Sequence, residues 1–201
     1  MQKSLNKLTQ TANPGPTFVR PATPADAQQI GILTAHSMHE TVVAAIEAPL
    51  SKESRTLFDS ARFAESWQET LTAPLSAEHH VLLAIHDGKI LGLAAAAPTQ
   101  PFDFPAAHPA AAELPENRRA FEISNFDVDS RHYGENHEAR MLAAITDIVG
   151  ESGTELYIWV FPSSEKLIQF LSESGFAPLG FQRELQIDGR SVYQHLWWTT
   201  F

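Results

Sequence analysis

The residues best placed to do chemistry lie in 121–149, FEISNFDVDSRHYGENHEARMLAAITDIV, where a strand pattern gives way to a helix pattern. Residues 121–128 are apolar-rich and end in β-formers, as a buried strand does, whereas Met141, Leu142, Ile145, Ile148 and Val149 recur at helical spacing. Between them, residues 129–137 form a polar turn around one glycine, Gly134. Such a turn presents the unpaired amides of a helix start at the end of a strand, and the helix dipole adds to them. The arrangement suits an anion.

Other chemistries are less well supplied. His36 and His39 stand three apart and His79 is followed by His80, but a zinc site takes three or four ligands and no third one is near either pair. Ordinary polar or substrate-pocket histidines, and no metal, are therefore expected. With no cysteine there is no disulfide, thiolate site or thiol nucleophile. A formal net charge of −10 and the lack of any Lys/Arg-rich run argue against nucleic acid and against an anionic membrane surface, leaving a small-molecule partner. No stretch approaches the roughly 20 apolar residues of a membrane span, and MQKSLNKLTQTANPGP has no apolar core of a signal peptide. A cytoplasmic protein is expected: a flexible arm over residues 1–16, then a single domain over 17–201.

The elements that must hold this turn can be read in order. Residues 17–20 make a short β-rich run, and Thr23-Pro24-Ala25-Asp26 starts a helix with an N-cap hydroxyl, a proline at N1 and an acid at N3. Ile30, Leu33 and Met38 continue its apolar face, with His36 and His39 near its end. Residues 41–50, punctuated by Pro49, read as a loop or broken second helix, and residues 51–73 as one amphipathic helix stopped at Pro74. Residues 80–85 and 90–97 form a hairpin about Asp87-Gly88, its second strand rich in glycine and alanine. The prolines of residues 98–119 predict a long surface connection, with Phe102 and Phe104 as lid or partner contacts. After the 121–149 unit come a strand at 156–161, a helix begun at Pro162-Ser163 and ended near Gly175, and a hairpin over 176–199 turning at Asp188-Gly189. Trp197, Trp198 and Phe201 either pack on the sheet or form a self-association surface, and packing is expected.

This order of elements resembles the GNAT superfamily of acetyl-CoA-dependent N-acetyltransferases over residues 17–198. FVRPATPADAQQI is similar to the family's opening strand and helix, VLLAIHDGKILGLAAAAP to its second and third strands, and LYIWVFPSSEKLIQFLSESGFAPLG to its closing segment. The resemblance implies an α/β (α+β) fold with a mixed, mostly antiparallel sheet flanked by helices and split between strands 4 and 5. It also implies acetyl-CoA as co-substrate and a small-molecule or peptide amine as acceptor. Many family members are dimers, and the aromatic C-terminus is compatible with a homodimer.

Family members hold the coenzyme pyrophosphate on a turn of the form R/Q-x-x-G-x-G/A. The resemblance lays that turn over Tyr133, Gly134, Glu135, Asn136, His137, Glu138 and Ala139, with Phe126, Val128 and Ser164 as further coenzyme contacts. Only Gly134 matches a characteristic glycine; Asn136 and Glu138 replace the others. A glutamate ~6 Å from a phosphate costs roughly 0.7 kcal/mol in water and about 3 kcal/mol at an effective dielectric of 20. The helix terminus supplies only ~0.3–1 kcal/mol. Arg131, His132, His137 or Arg140 would have to compensate, or the glutamates would have to point into solvent. By its place on the fourth strand Glu122 resembles the family's general base, its alternative role being a pair with Arg118 or Arg119. The family's tyrosine acid is replaced by Leu171 and its asparagine by Ser163 or Ser164; Tyr133, Tyr157 and Tyr193 are the tyrosines left to substitute. Two functions follow: acetyl transfer from acetyl-CoA to a primary amine, or a catalytically inactive ligand-binding or protein-interaction module on the same fold.

Overall fold

Seven strands form one sheet: β1 (Thr17–Pro21), β2 (His80–His86), β3 (Lys89–Thr99), β4 (Ala120–Val128), β5 (Glu155–Val160), β6 (Ala177–Ile187) and β7 (Arg190–Thr200). They lie in the order β1-β2-β3-β4-β5-β7-β6. The computed structural model describes residues 17–104, 114 and 116–201. The expected arm over 1–16, and Pro105, Pro109 and Pro115 of the expected connection, lie outside the described residues.

Neighbouring strands run antiparallel except β4 and β5, which are parallel. That one parallel pair is short. It runs from Ala120↔Glu155 to Ile123↔Ile158, after which β4 continues to Val128 and β5 to Val160 without pairing to each other. The strands part there, and this is the expected split.

Helices cover both faces. α1 (Ala27–Ile46) and α3 (Ser60–Thr72) lie over β2 and β3, burying Ile30, Leu33 and Trp67 against Leu83, Ile85, Leu93 and Ala95. α4 (His137–Gly150) and α5 (Glu165–Glu173) take the other face, where Met141, Leu142, Ile145, Val149 and Leu171 meet Phe121, Ile123 and Val128. Each of these buried aliphatic and aromatic side chains contributes about 1.5–3 kcal/mol of transfer free energy, and this packing anchors the start of α4 at the sheet. α1 and α3 approach closely at Gly31, where an added Cβ would stand 2.6 Å from the Ala64 amide nitrogen and the Ser60 carbonyl oxygen.

Several local expectations need correction. The first helix does not stop before residue 41: α1 runs to Ile46 and ends at Glu47 in a left-handed conformation, φ 52°. Val42 and Ile46, four apart, bury against Leu50, Phe161 and Val192, and that packing outweighs the weak helix propensity of Thr41, Val42 and Val43. His36 and His39 therefore sit in mid-helix. The single helix expected over 51–73 is divided into the short α2 (Lys52–Arg55), a 3₁₀ turn and α3, because the Asp59 carboxylate caps a new start by accepting the Ala61 and Arg62 amides. Leu57, within the expected amphipathic helix, is exposed. β3 carries Pro98 and Thr99 as its last residues.

Phe102 and Phe104 pack onto the aromatic residues of the sheet. Phe102 packs edge-on against Tyr157 and Trp159, with ring centroids 5.1 and 6.0 Å away, and Phe104 against Trp198 at 4.8 Å. Beneath Phe102, Glu155 is fully buried; Arg118 donates to both its oxygens at 2.6 Å and Tyr157 donates its hydroxyl at 2.5 Å. Trp198 is buried, Trp197 packs against the α4 side of the core, and Phe201 is exposed.

Candidate functional site

Cavities follow one another along the split. The first, about 200 Å³, lies between the start of α4 and the flank of α5 and is lined by Tyr133, Gly134, Asn136, Glu138, Ala139, Lys166, Gln169 and Phe170, among others. Tyr133 and Lys166 are shared with a second cavity of about 490 Å³ between α1, the end of β4 and the start of α5. That cavity shares Thr41, Phe126, Asp127 and Ser164 with a third of about 150 Å³, whose walls include Ile123, Ser124 and Asn125 on β4 and Ile158, Trp159 and Val160 on β5. The third is the split itself. Through Phe161 it meets a fourth, about 490 Å³, lined by Glu47, Glu165, Tyr193 and His195. An elongated ligand can thus lie from the α4 start to the split, with a second ligand reaching it from the far end.

Local geometry at the turn explains the anion-binding character and its limit. Gly134 has φ +86° and Asn136 φ 64°, so the chain doubles back before α4 begins. The first intrahelical bond runs from the Arg140 amide to the Asn136 carbonyl, and the amides ahead of it are those a helix start leaves without helical partners. Glu138 does not point into solvent, as the sequence allowed. Its side chain is buried, and its carboxylate accepts the Gly134 amide at 3.0 Å. An internal anion occupies one donor of the anion site.

Of the cations expected to compensate, Arg131, His132 and His137 are engaged elsewhere or turned away, and Arg140 is exposed and does not line these cavities. Arg131 makes a bidentate pair with Asp129, with contacts of 2.9 and 2.6 Å. His132 lies 3.1 Å from Glu135. His137 is buried beneath the turn with its ring facing His86, centroids 6.2 Å apart. The cation that lines the site is Lys166, whose ammonium stands 5.6 Å from the Tyr133 ring centroid. Burial, reinforced by the Glu138 and Asp127 carboxylates, pushes the Tyr133 hydroxyl up to about 12.

Two carboxylates on β4 differ sharply. Glu122 sits where β4 is still paired to β5, opposite Tyr157, and is half-buried. Burial raises its pKa, opposed by the nearby Arg183 and by a hydrogen bond with the Trp159 side chain. Its cationic neighbour is thus Arg183 and not the expected Arg118 or Arg119, which pair with Glu155 and Glu78. Asp127 stands where the second and third cavities meet. Its Oδ1 accepts the Ser37 hydroxyl at 2.6 Å, while Oδ2 is closed off from solvent with no hydrogen-bond partner among the described residues. Burial raises its pKa, opposed by the Ser37 hydrogen bond and by the nearby Asn125 side chain.

Of the residues assigned from sequence to the coenzyme, Phe126, Val128, Tyr133, Gly134, Asn136, Glu138, Ala139 and Ser164 line the first three cavities. Glu135 and His137 do not line them, and neither does Glu122. Of the substitute tyrosines, Tyr157 is buried in the Glu155 network, with its pKa raised by burial and by that carboxylate, whereas Tyr133 and Tyr193 line cavities. Sequence reasoning missed Asp127, Ser37 and Lys166. An aspartate in a buried strand pattern was a signal for the first, and the helical spacing of Lys166, Gln169, Phe170 and Glu173, one face of α5, was a signal for the last. Ser37 lies 90 residues from its partner and had none. Among the described residues no group of three or more acidic or histidine side chains could hold a metal ion; His36 pairs with Glu40 at 3.3 Å and His39 stacks edge-on with Phe58.

Comparison with solved structures defines the fold as that of the GNAT superfamily. A GNAT-family acetyltransferase from Streptococcus pneumoniae superposes with a TM-score of 0.62 at 16% identity, over 92% of this chain and 100% of its own. A putative acetyltransferase from Salmonella typhimurium, solved with its cofactor acetyl-CoA, gives 0.61 at 14% identity, over 92% and 94%. An N-acetyltransferase from Thermoplasma acidophilum in complex with coenzyme A gives 0.59 at 12% identity, over 92% and 99%. No protein-family model matches the sequence, and no curated protein matches it. Among the described residues no helix is long and apolar enough to cross a membrane.

Proposed function

We propose that this chain is an N-acetyltransferase that moves an acetyl group from acetyl-CoA to a primary amine of a small molecule or peptide, acting in the cytoplasm. The observation that carries this reading is the run of cavities from the α4 start through the β4–β5 split, on a fold whose relatives are solved with acetyl-CoA or coenzyme A. The diphosphate would lie by Gly134 and Lys166, the arm along Phe126 and Val128, and the thioester in the split. The acceptor would come from the cavity lined by Tyr193 and His195.

One observation favours the second reading, an inactive module: the Glu138 carboxylate already holds the Gly134 amide. Titration with acetyl-CoA separates the two. A ligand at about 100 times its Kd stabilises by about 2.7 kcal/mol, which raises Tm by about 5–11 °C in a domain of this size. Binding heat and a shift of that order are expected. The absence of both heat and shift at millimolar acetyl-CoA would rule the acetyltransferase out.

A further inference from the structure

Arg183 is held in an unusual way for a cation at the sheet surface. It belongs to β6, and β7 lies between that strand and β5, which puts the two roughly 10 Å apart at ordinary strand spacing. Its side chain nonetheless lies back across β7 toward the split. The guanidinium stands 4.6 Å from the Trp159 ring centroid on β5, and Nε donates to the Gln194 side-chain oxygen at 2.7 Å. Phe102 packs edge-on against the same indole, which fixes the ring. Both partners of the guanidinium, Trp159 and Gln194, line the third cavity, and no lysine or arginine does.

The guanidinium lacks an anion. Among the described residues it forms no ion pair, and its two terminal nitrogens make no hydrogen bond. Glu122 is near enough to act on its charge without pairing with it, and partial burial outweighs that carboxylate and lowers the Arg183 pKa. The residue is still exposed, so a ligand can reach it. An open guanidinium fork fits a planar carboxylate, which accepts two parallel N–H bonds. A doubly charged phosphate fits less well, because Glu122 stands beside this one cation.

We propose that Arg183, stacked on Trp159, binds a carboxylate of the acceptor, and that the acceptor is an α-amino acid with an apolar side chain. The inference rests on the acetyltransferase reading above and names its substrate class. The acceptor enters past Phe161, which the third and fourth cavities share, and lays its amine in the split, its carboxylate on Arg183 and its side chain against Met38 and Val42. Trp159 and Gln194 line neither the first nor the second cavity, where the donor is placed, so the fork serves the acceptor.

The test uses the full chain with acetyl-CoA, following thiol release with L-methionine, L-leucine and L-phenylalanine and with the amide of each. In the wild type at least one acid should be preferred over its amide by about 30-fold or more in kcat/KM, as a desolvated charge pair gives. Arg183→Gln should bring that ratio to within about twofold of one, with the loss for the acid carried by KM. Arg183→Lys, which keeps the charge without the fork, should fall between the two. An equal loss for acid and amide in Arg183→Gln assigns the arginine to balancing Glu122 and overturns the proposal. So does a protein that binds acetyl-CoA but acetylates none of the three acids, or that acetylates 2-aminoethyl phosphate faster than any of them. Failure to bind acetyl-CoA at all overturns the acetyltransferase reading, and the inference falls with it.

Discussion

Glu138→Gln isolates the charge inside the anion site while keeping the shape of the side chain. The Glu138 carboxylate accepts the Gly134 amide at 3.0 Å, and a diphosphate that uses this amide must displace it. A hydrogen bond to a charged group contributes ~1.5–3 kcal/mol and a neutral one ~0.5–1.5, so displacing glutamine is easier by roughly 1 kcal/mol. Removing the like charge adds at least ~0.7 kcal/mol at ~6 Å, even in water. Together, about 2 kcal/mol corresponds to CoA binding about 30-fold tighter. Calorimetry with CoA, and with S-acetyl-pantetheine as a control that lacks the diphosphate, checks this. The control should change by less than about twofold, because the effect is confined to the charge pair. Unchanged or weaker CoA affinity, or an equal gain for both ligands, would refute the argument. The apo variant should melt about 2–4 °C lower, since it gives up ~1 kcal/mol of its own hydrogen bonding.

Three further outcomes follow from the packing and the ion pairs. Glu155→Ala strips Arg118 and the Tyr157 hydroxyl of a fully buried partner; the loss should be about 3–5 kcal/mol, seen as a Tm drop of about 6–20 °C, and a drop below ~3 °C would contradict it. Gly31→Ala drives a methyl into the α3 backbone at 2.6 Å and should destabilise by about 1–3 kcal/mol in urea melts, with Gly31→Ser no better. Arg131 holds the Asp129 carboxyl down at about 2, and Arg20 holds Asp26 below the carboxylate range. Both are depressed in the folded state, so their stabilisation is complete above the unfolded value near ~4 and is lost as pH falls through the folded value. Asp129→Asn should flatten that acid limb in melts between about pH 4 and 2, and an unaltered limb would count against the pair.

The fold was legible because its signals are local. The Thr23 to Asp26 capping box, the Asp87-Gly88 turn and the change of period after Val128 are each set by residues adjacent in sequence, and the structure keeps all three. What failed was decided either at a distance or by a cap that helical periodicity does not register. The reach of α1 to Ile46 depends on Phe161 and Val192, and the break at Asp59 depends on which side chain caps. The candidate site divides in the same way. Gly134, Asn136 and Glu138 could be found on one short turn, but the bond from Gly134 to Glu138 needs the turn's geometry, and Lys166 and Ser37 reach the cavities from α5 and α1.

Under the proposed function the filled amide changes which contacts must hold the donor. The diphosphate meets Glu138 and Glu173 among the residues of the first cavity, with Lys166 as the lining cation, so the net field there is against it. The split offers the opposite. Beyond Ile123, β4 keeps its bonds to β3 but has no β5 partner on its other edge, and such an edge holds unpaired backbone donors and acceptors. An extended ligand with amides of its own can pair with them as an added strand does. The half-buried rings of Phe126 and Phe170, stacked 5.9 Å apart, form an apolar floor beside that edge. Affinity should therefore come chiefly from the arm of the donor and little from its diphosphate. This is the reverse of what a glycine-rich turn would produce, and it accounts for a recognisable fold carrying an altered turn without requiring that the donor site be lost.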